Sequence, residues 1–182
     1  MSAPIYQRWN SAHPNVEPHG ASLRTTVPHL WLRIHSLPNA KRYPDTDDEE
    51  SVLLSRHRHA ISHIAGDQNL LMMFSIWKQR NLVSDFGFEK RESFVVPPGA
   101  WSEQPRVIEV AGPLQPTDER LGRVILSVAH DNMDGVLLAT VDFRRVICLY
   151  DGGADLFFDD VSSRDNAAEL LREWVSSRPD GL

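Results

Sequence analysis

Three groups of side chains have the types and spacing to do chemistry. The first is His57, His59 and His63. His59 and His63 stand four apart, which on a helix aims two imidazoles at one metal ion. The set lacks a third ligand, has no Glu to complete an H-E-x-x-H pattern, and is interleaved with Arg56 and Arg58, whose charge repels a cation. These two histidines are weak metal candidates beside the ordinary reading of solvated side chains, and no cofactor is expected. The second group is Arg33 and His35, two apart and in phase with Trp31, so that a strand places all three on one face, with Lys41, Arg42 and Tyr43 just beyond. A cationic, aromatic corner of this kind can hold a carboxylate or phosphate, with Arg33 as the bidentate partner. Asp47, Asp48, Glu49 and Glu50 follow closely and occupy the dipole site a phosphate would want, so internal pairing of Arg33 is the competing reading. The third group is acidic: Asp151, Asp155, Asp159, Asp160 and Asp165 crowd the C-terminal third. They read either as solvated helix-start chemistry or as a docking face for a basic protein partner.

Other reactive types fall to simpler explanations. His130-Asp131 closes an apolar run and Asp134-Gly135 opens the next, and a turn accounts for all four; Met133 stands where a calcium loop needs an oxygen. Cys148 sits between Ile147 and Leu149 as a small buried hydrophobe does. There is no G-x-S-x-G elbow, no phosphate-binding P-loop and no G-x-G-x-x-G turn.

These groups need elements to position them. The period-two run Leu30–Ser36 predicts a strand. Thr46 with Glu49 forms a capping box that starts a helix, with Leu53, His57, Ala60, Ile61 and Ile64 on one side and Gly66 as its stop. Leu70–Trp77 predicts a strand apolar on both faces, hence central. Met1–Pro28, with four prolines, reads as an irregular N-terminal arm laid on the domain by Tyr6 and Trp9. Residues 81–122, with five prolines, read as a long excursion around a short strand at Arg106–Val110. Arg123–His130, Val136–Phe143, Val146–Tyr150 and Ala154–Phe158 read as four strands joined by tight turns, and Ser162 or Ser163 caps a final helix bearing Ala167, Leu170, Leu171, Trp174 and Val175. The expected fold is a single α+β domain over residues 1–182. It has a mostly antiparallel, mixed sheet of about five to six strands covered on one face by two main helices.

A length of 182 residues with 41% hydrophobic composition supports one ordinary core. One cysteine excludes an internal disulfide and thiolate-rich zinc sites, and suits a reducing compartment. The opening MSAPIYQRWN lacks the apolar stretch of a signal peptide, and the apolar runs are too short to span a bilayer, so a cytoplasmic protein with no membrane partner is expected. A net charge of −6 disfavours nucleic acid, whose binding would need a stripe from Arg33, Lys41, Arg42, Lys78 and Arg80.

The order strand, Arg/His-rich helix, strand and hairpin, followed by Tyr150-Asp151-Gly152-Gly153-Ala154-Asp155, a strand and a Trp-bearing helix, resembles a family of bacterial domains of unknown function. That family ends in a strand, Tyr-Asp-Asp-Arg-Gly, another strand and a helix containing Trp. The resemblance covers 30–77 and 136–175; the turn here is one residue shorter and lacks the arginine, so no role of that arginine carries over. It implies one domain and a bacterial origin. Without catalytic signatures, the leading expectation is a non-enzymatic protein-binding module using Asp155, Asp159 and Asp160, its most concrete version immunity- or antitoxin-like. The alternative is a small enzyme or an anion-binding protein with a site near Arg33 and His35, recognisable by a pocket that gathers them with a carboxylate.

Overall fold

An apolar run buried on both sides must lie inside a sheet with both faces covered. Leu70–Ile76 (β2) does so in the computed structural model, which describes residues 3–76, 82–99, 103–176 and 178. The other strands are β1 (Trp31–His35), β3 (Lys90–Val96), β4 (Arg106–Leu114), β5 (Val136–Thr140), β6 (Val146–Tyr150) and β7 (Gly153–Phe157). All seven form one open antiparallel sheet in the order β1-β7-β6-β5-β2-β4-β3.

The side-chain period of two sorts the strands between two cores. Leu70, Met72 and Phe74 of β2 join Leu138 and Leu156 under three helices: α3 (Asp47–Ala65), α5 (Arg120–Ala129) and α6 (Val161–Leu170). Leu71 and Met73 point the other way, with Leu137 and Cys148, under α1 (Ile5–Ala12) and α2 (Gly20–Thr26), which contribute Ile5, Trp9 and Leu23. A short α4 (Leu82–Asp85) adds Leu82 and Val83 to the first core. Each fully buried Leu or Ile supplies roughly 1.5–3 kcal/mol of transfer free energy.

Several expectations hold residue by residue. Thr46 Oγ1 accepts the Glu49 amide at the start of α3, the predicted stripe is buried, and Gly66 ends the helix at φ 54°. Leu32 and Ile34 of β1 are buried and alternate with half-buried Trp31, Arg33 and His35. Trp77, at the end of the predicted second strand, lies outside the described residues.

Other expectations are corrected. The sheet has seven strands where five to six were expected, it is antiparallel throughout, and helices cover both faces. The N-terminal arm is helical: Pro4 and Pro14 flank α1, Pro18 precedes α2 and Pro28 opens a 3-10 turn, so the prolines punctuate helices and do not forbid them. Its Trp9 is fully buried, donates to Val16 O at 2.7 Å and meets Phe143 edge-on. The 81–122 excursion holds two sheet strands, β3 and β4, with Pro97 and Pro105 just outside their ends. Arg123–His130 is not a strand but most of α5. Its β-branched residues suggested a strand, yet Leu121, Val124, Ile125 and Val128 are the residues that bury, at helical spacing. The strand predicted over Val136–Phe143 stops at Thr140, with Phe143 turned to φ 62°. The last helix is capped by Asp160, and Leu171, Trp174 and Val175 lie beyond its end, Val175 bridging to Ile34.

Candidate functional site

Register places chemistry on the face that α2 covers. Arg33 pairs with Asp155, Asp155 with Cys148, and Cys148 with Leu137, so four side chains form one row across β1, β7, β6 and β5. Helix α2 approaches this row through Gly20, where an added Cβ would lie 3.0 Å from Cys148 Cβ and 3.7 Å from Asp155 Oδ2. Between α2, the row and the Asp131–Gly135 loop lies a cleft of about 420 Å³. That volume falls at the lower end of ordinary small-molecule sites.

The inner end is built around Asp155, which is 4% exposed. Arg33 donates to it through Nε at 2.8 Å and Nη2 at 3.0 Å, Arg24 through Nη1 at 3.2 Å, and Trp31 through Nε1 at 2.8 Å. The Arg33 guanidinium also lies over the Tyr150 ring at 4.6 Å. Two guanidiniums thus converge on one buried carboxylate, and Arg24, bound to it through a single N–H, stays partly exposed.

The groups that could react are held in their unreactive forms. Burial pushes the Tyr150 phenol up to about 12 and the Cys148 thiol well above its ordinary value, so both stay protonated near neutrality. Burial, then the charge of Arg106, lowers the His19 imidazole, which lines the cleft in its neutral form. Ser75 of β2 also lines the cleft. It is 3% exposed, and its Oγ has no hydrogen-bond partner among the described residues. A buried hydroxyl without a partner is uncommon and points to a missing one.

Of the sequence-derived candidates, Arg33, Arg42, Asp151 and Asp155 all line this cleft. Arg42 and Asp151 form an ion pair at 2.6 Å at the exposed rim, with the Tyr43 hydroxyl donating to the same carboxylate at 2.9 Å. His35 does not join them: its amide donates to Trp174 O and its carbonyl accepts from Arg56. Asp159 is taken up by Arg145 at 3.0 Å, and Asp160 caps α6 through the Ser163 amide. Asp165 pairs with Arg164 at 3.0 Å, so each of the five acidic candidates is engaged inside the chain. His59 packs edge-on against Trp174 and His63 against Phe158, and no cluster of three metal-ligating side chains occurs among the described residues. Lys41 is held by Asp45 and Glu49, while Lys78 and Arg80 of the proposed nucleic-acid stripe lie outside the described residues. His130 pairs with Glu50 at 2.7 Å. Among the described residues no helix is long and apolar enough to cross a membrane.

The cleft also contains His19, Arg24 and Ser75, which spacing does not single out, and Asp131 and Asp134, which the sequence assigns to a turn. The proline-rich composition of the N-terminal segment hides Arg24, and the β-branched run before the two aspartates hides them. Helical spacing in Leu121–Val128 is the signal that would have placed them at a helix end facing α2.

The comparisons with known proteins bear on this arrangement only through the family. Residues 20–179 match the family model described as a domain of unknown function (DUF3885). No curated protein and no solved structure gives a significant match.

Proposed function

The chain belongs to the DUF3885 family, and on that premise we propose that it is a non-enzymatic binding protein for a small anionic molecule, held in the cleft between α2 and the Asp131–Gly135 loop. The observation that carries this reading is the sharing of buried Asp155 by Arg33 and Arg24 beside an open cleft. Arg33 is satisfied by a fork onto Asp155. Arg24 gives Asp155 a single N–H and stays partly exposed, and a guanidinium has five such donors. A carboxylate or phosphate entering the cleft meets Arg24 as a preformed, oriented donor.

Among the described residues of the cleft, the thiol and phenol are both shifted away from ionisation, which supports binding over nucleophilic catalysis there. A basic protein partner would have to compete with Arg33, Arg42 and Arg145 for the acidic residues at the C-terminal end.

Thermal unfolding of the full chain against a panel of small carboxylates and phosphomonoesters tests the proposal. A true ligand at about a hundred times its Kd adds about 2.7 kcal/mol and raises Tm by roughly 5–10 °C. A flat response across the panel would overturn it.

A further inference from the structure

Resting on that reading, we infer that the ligand is dipolar: one small molecule carrying an anionic group and, at the other end, an ammonium or similar cation. Asp131 and Asp134, both exposed, line the same cleft from the loop that follows α5, and among the described residues neither carboxylate makes a hydrogen bond or an ion pair. Asp131 acts on Arg42, and Asp134 on His19, only through space. The loop is not loosely placed. Gly135 O accepts the Ser75 amide at 2.9 Å, and Gly135 holds φ 67° with no room for a Cβ, which would fall 2.7 Å from Ser75 Cβ.

That tie sets the buried, unpartnered Ser75 hydroxyl beside the acidic side of the cleft. The two ends therefore differ in sign. Arg24 gives Asp155 one N–H and stays partly exposed, so it presents positive charge under α2, whereas the exposed Asp131 and Asp134 present negative charge on the loop. A simple anion satisfies the first end and is repelled by the second. A molecule bearing both charges satisfies each, and the Ser75 hydroxyl can donate to or accept from the part between them. An amino-acid carboxylate and an aminoalkyl phosphate share this chemistry.

Matched triads separate the possibilities when titrated into the full chain by calorimetry. The common amino acids are compared with their deaminated acids and decarboxylated amines, and O-phosphoethanolamine with ethyl phosphate and ethylamine. The expected result is that one doubly charged member binds at least tenfold tighter than either singly charged counterpart, and the arm in which it occurs identifies the anion. In the Asp131→Asn/Asp134→Asn variant that advantage collapses, while the deaminated acid binds as well as before or better. Equal affinity for a doubly charged compound and its deaminated acid overturns the dipolar ligand and leaves the anion site standing. A response to simple acids alone does the same. Silence from every anion removes both.

Discussion

Arg33 and Asp155 face each other across β1 and β7 and close a two-bond fork, Nε to Oδ1 at 2.8 Å and Nη2 to Oδ2 at 3.0 Å. Both side chains are largely removed from water, so the pair must be kept whole: taking away one partner strands a charge in a low-dielectric setting. Asp155→Ala, which leaves two guanidiniums facing each other, is expected to cost about 3–5 kcal/mol in urea unfolding. Arg24→Ala is expected to cost about 1 kcal/mol or less, because Arg24 is partly exposed and Asp155 keeps its fork to Arg33. Equal losses for the two variants would contradict this account of the inner end.

The same strand pair carries a steric requirement. A Cβ at Gly153 would lie 1.9 Å from the carbonyl oxygen of Ile34, a backbone atom that cannot move without opening the β1–β7 ladder. At neighbouring Gly152 the nearest atom is Tyr150 Cε2 at 3.1 Å, on a side chain that can turn. Gly153→Ala is expected to destabilise by about 3 kcal/mol or more and Gly152→Ala by under about 1 kcal/mol, read from denaturation midpoints.

Ser75→Ala separates stability from binding. The hydroxyl is buried without a partner, and such a group costs about 1–3 kcal/mol to leave unmade. The variant is expected to unfold at an equal or higher denaturant concentration than the natural chain, yet to bind the cleft ligand more weakly. A clear loss of stability would show that Ser75 is paired within the fold.

Acid weakens the fold through His57. The ring is buried between α3 and β7, with Nδ1 3.0 Å from Leu53 O and Nε2 3.4 Å from Gly153 O, and burial lowers its proton affinity below the ordinary 6.5. The unfolded chain therefore takes up this proton first. Stability stands at its full value above pH 6.5 and declines as pH falls toward the folded-state value, by up to about 1.4 kcal/mol per pH unit for one such group. Burial lowers His13 and His19 as well, so the slope in the natural chain exceeds one group's share. His57→Gln is expected to reduce the slope between pH 6.5 and 5.5 by a fraction of a proton, at most one; an unchanged slope would place His57 outside this effect.

Local signals with one physical cause were legible in the chain. Thr46 and Glu49 fix the start of α3, and the two-sided apolar run of β2 marks a central strand, because each pattern has a single structural solution. Arg33 was readable as a residue that would meet a carboxylate, and Asp155 was named among the acidic residues. Their meeting was not readable, since it depends on β7 pairing with β1 across 122 residues. Apolar β-branched residues in α5 satisfy strand and helix templates alike over a short window, and tertiary packing chose the helix. That choice moved Asp131 and Asp134 from an ordinary hairpin to the wall of the cleft. Apart from Pro113, which lies inside β4, the prolines of residues 3–28 and 81–122 stand at or near the ends of elements, which composition alone does not distinguish from their absence.

The partly exposed Arg24 guanidinium beside Asp155 is tested most directly by titrating the tightest anion of the panel into the natural chain and into Arg24→Gln by calorimetry. The account predicts saturable binding with one site per chain, weakened at least tenfold in Arg24→Gln while the variant's unfolding midpoint stays near that of the natural chain. Undiminished binding by the variant would contradict it.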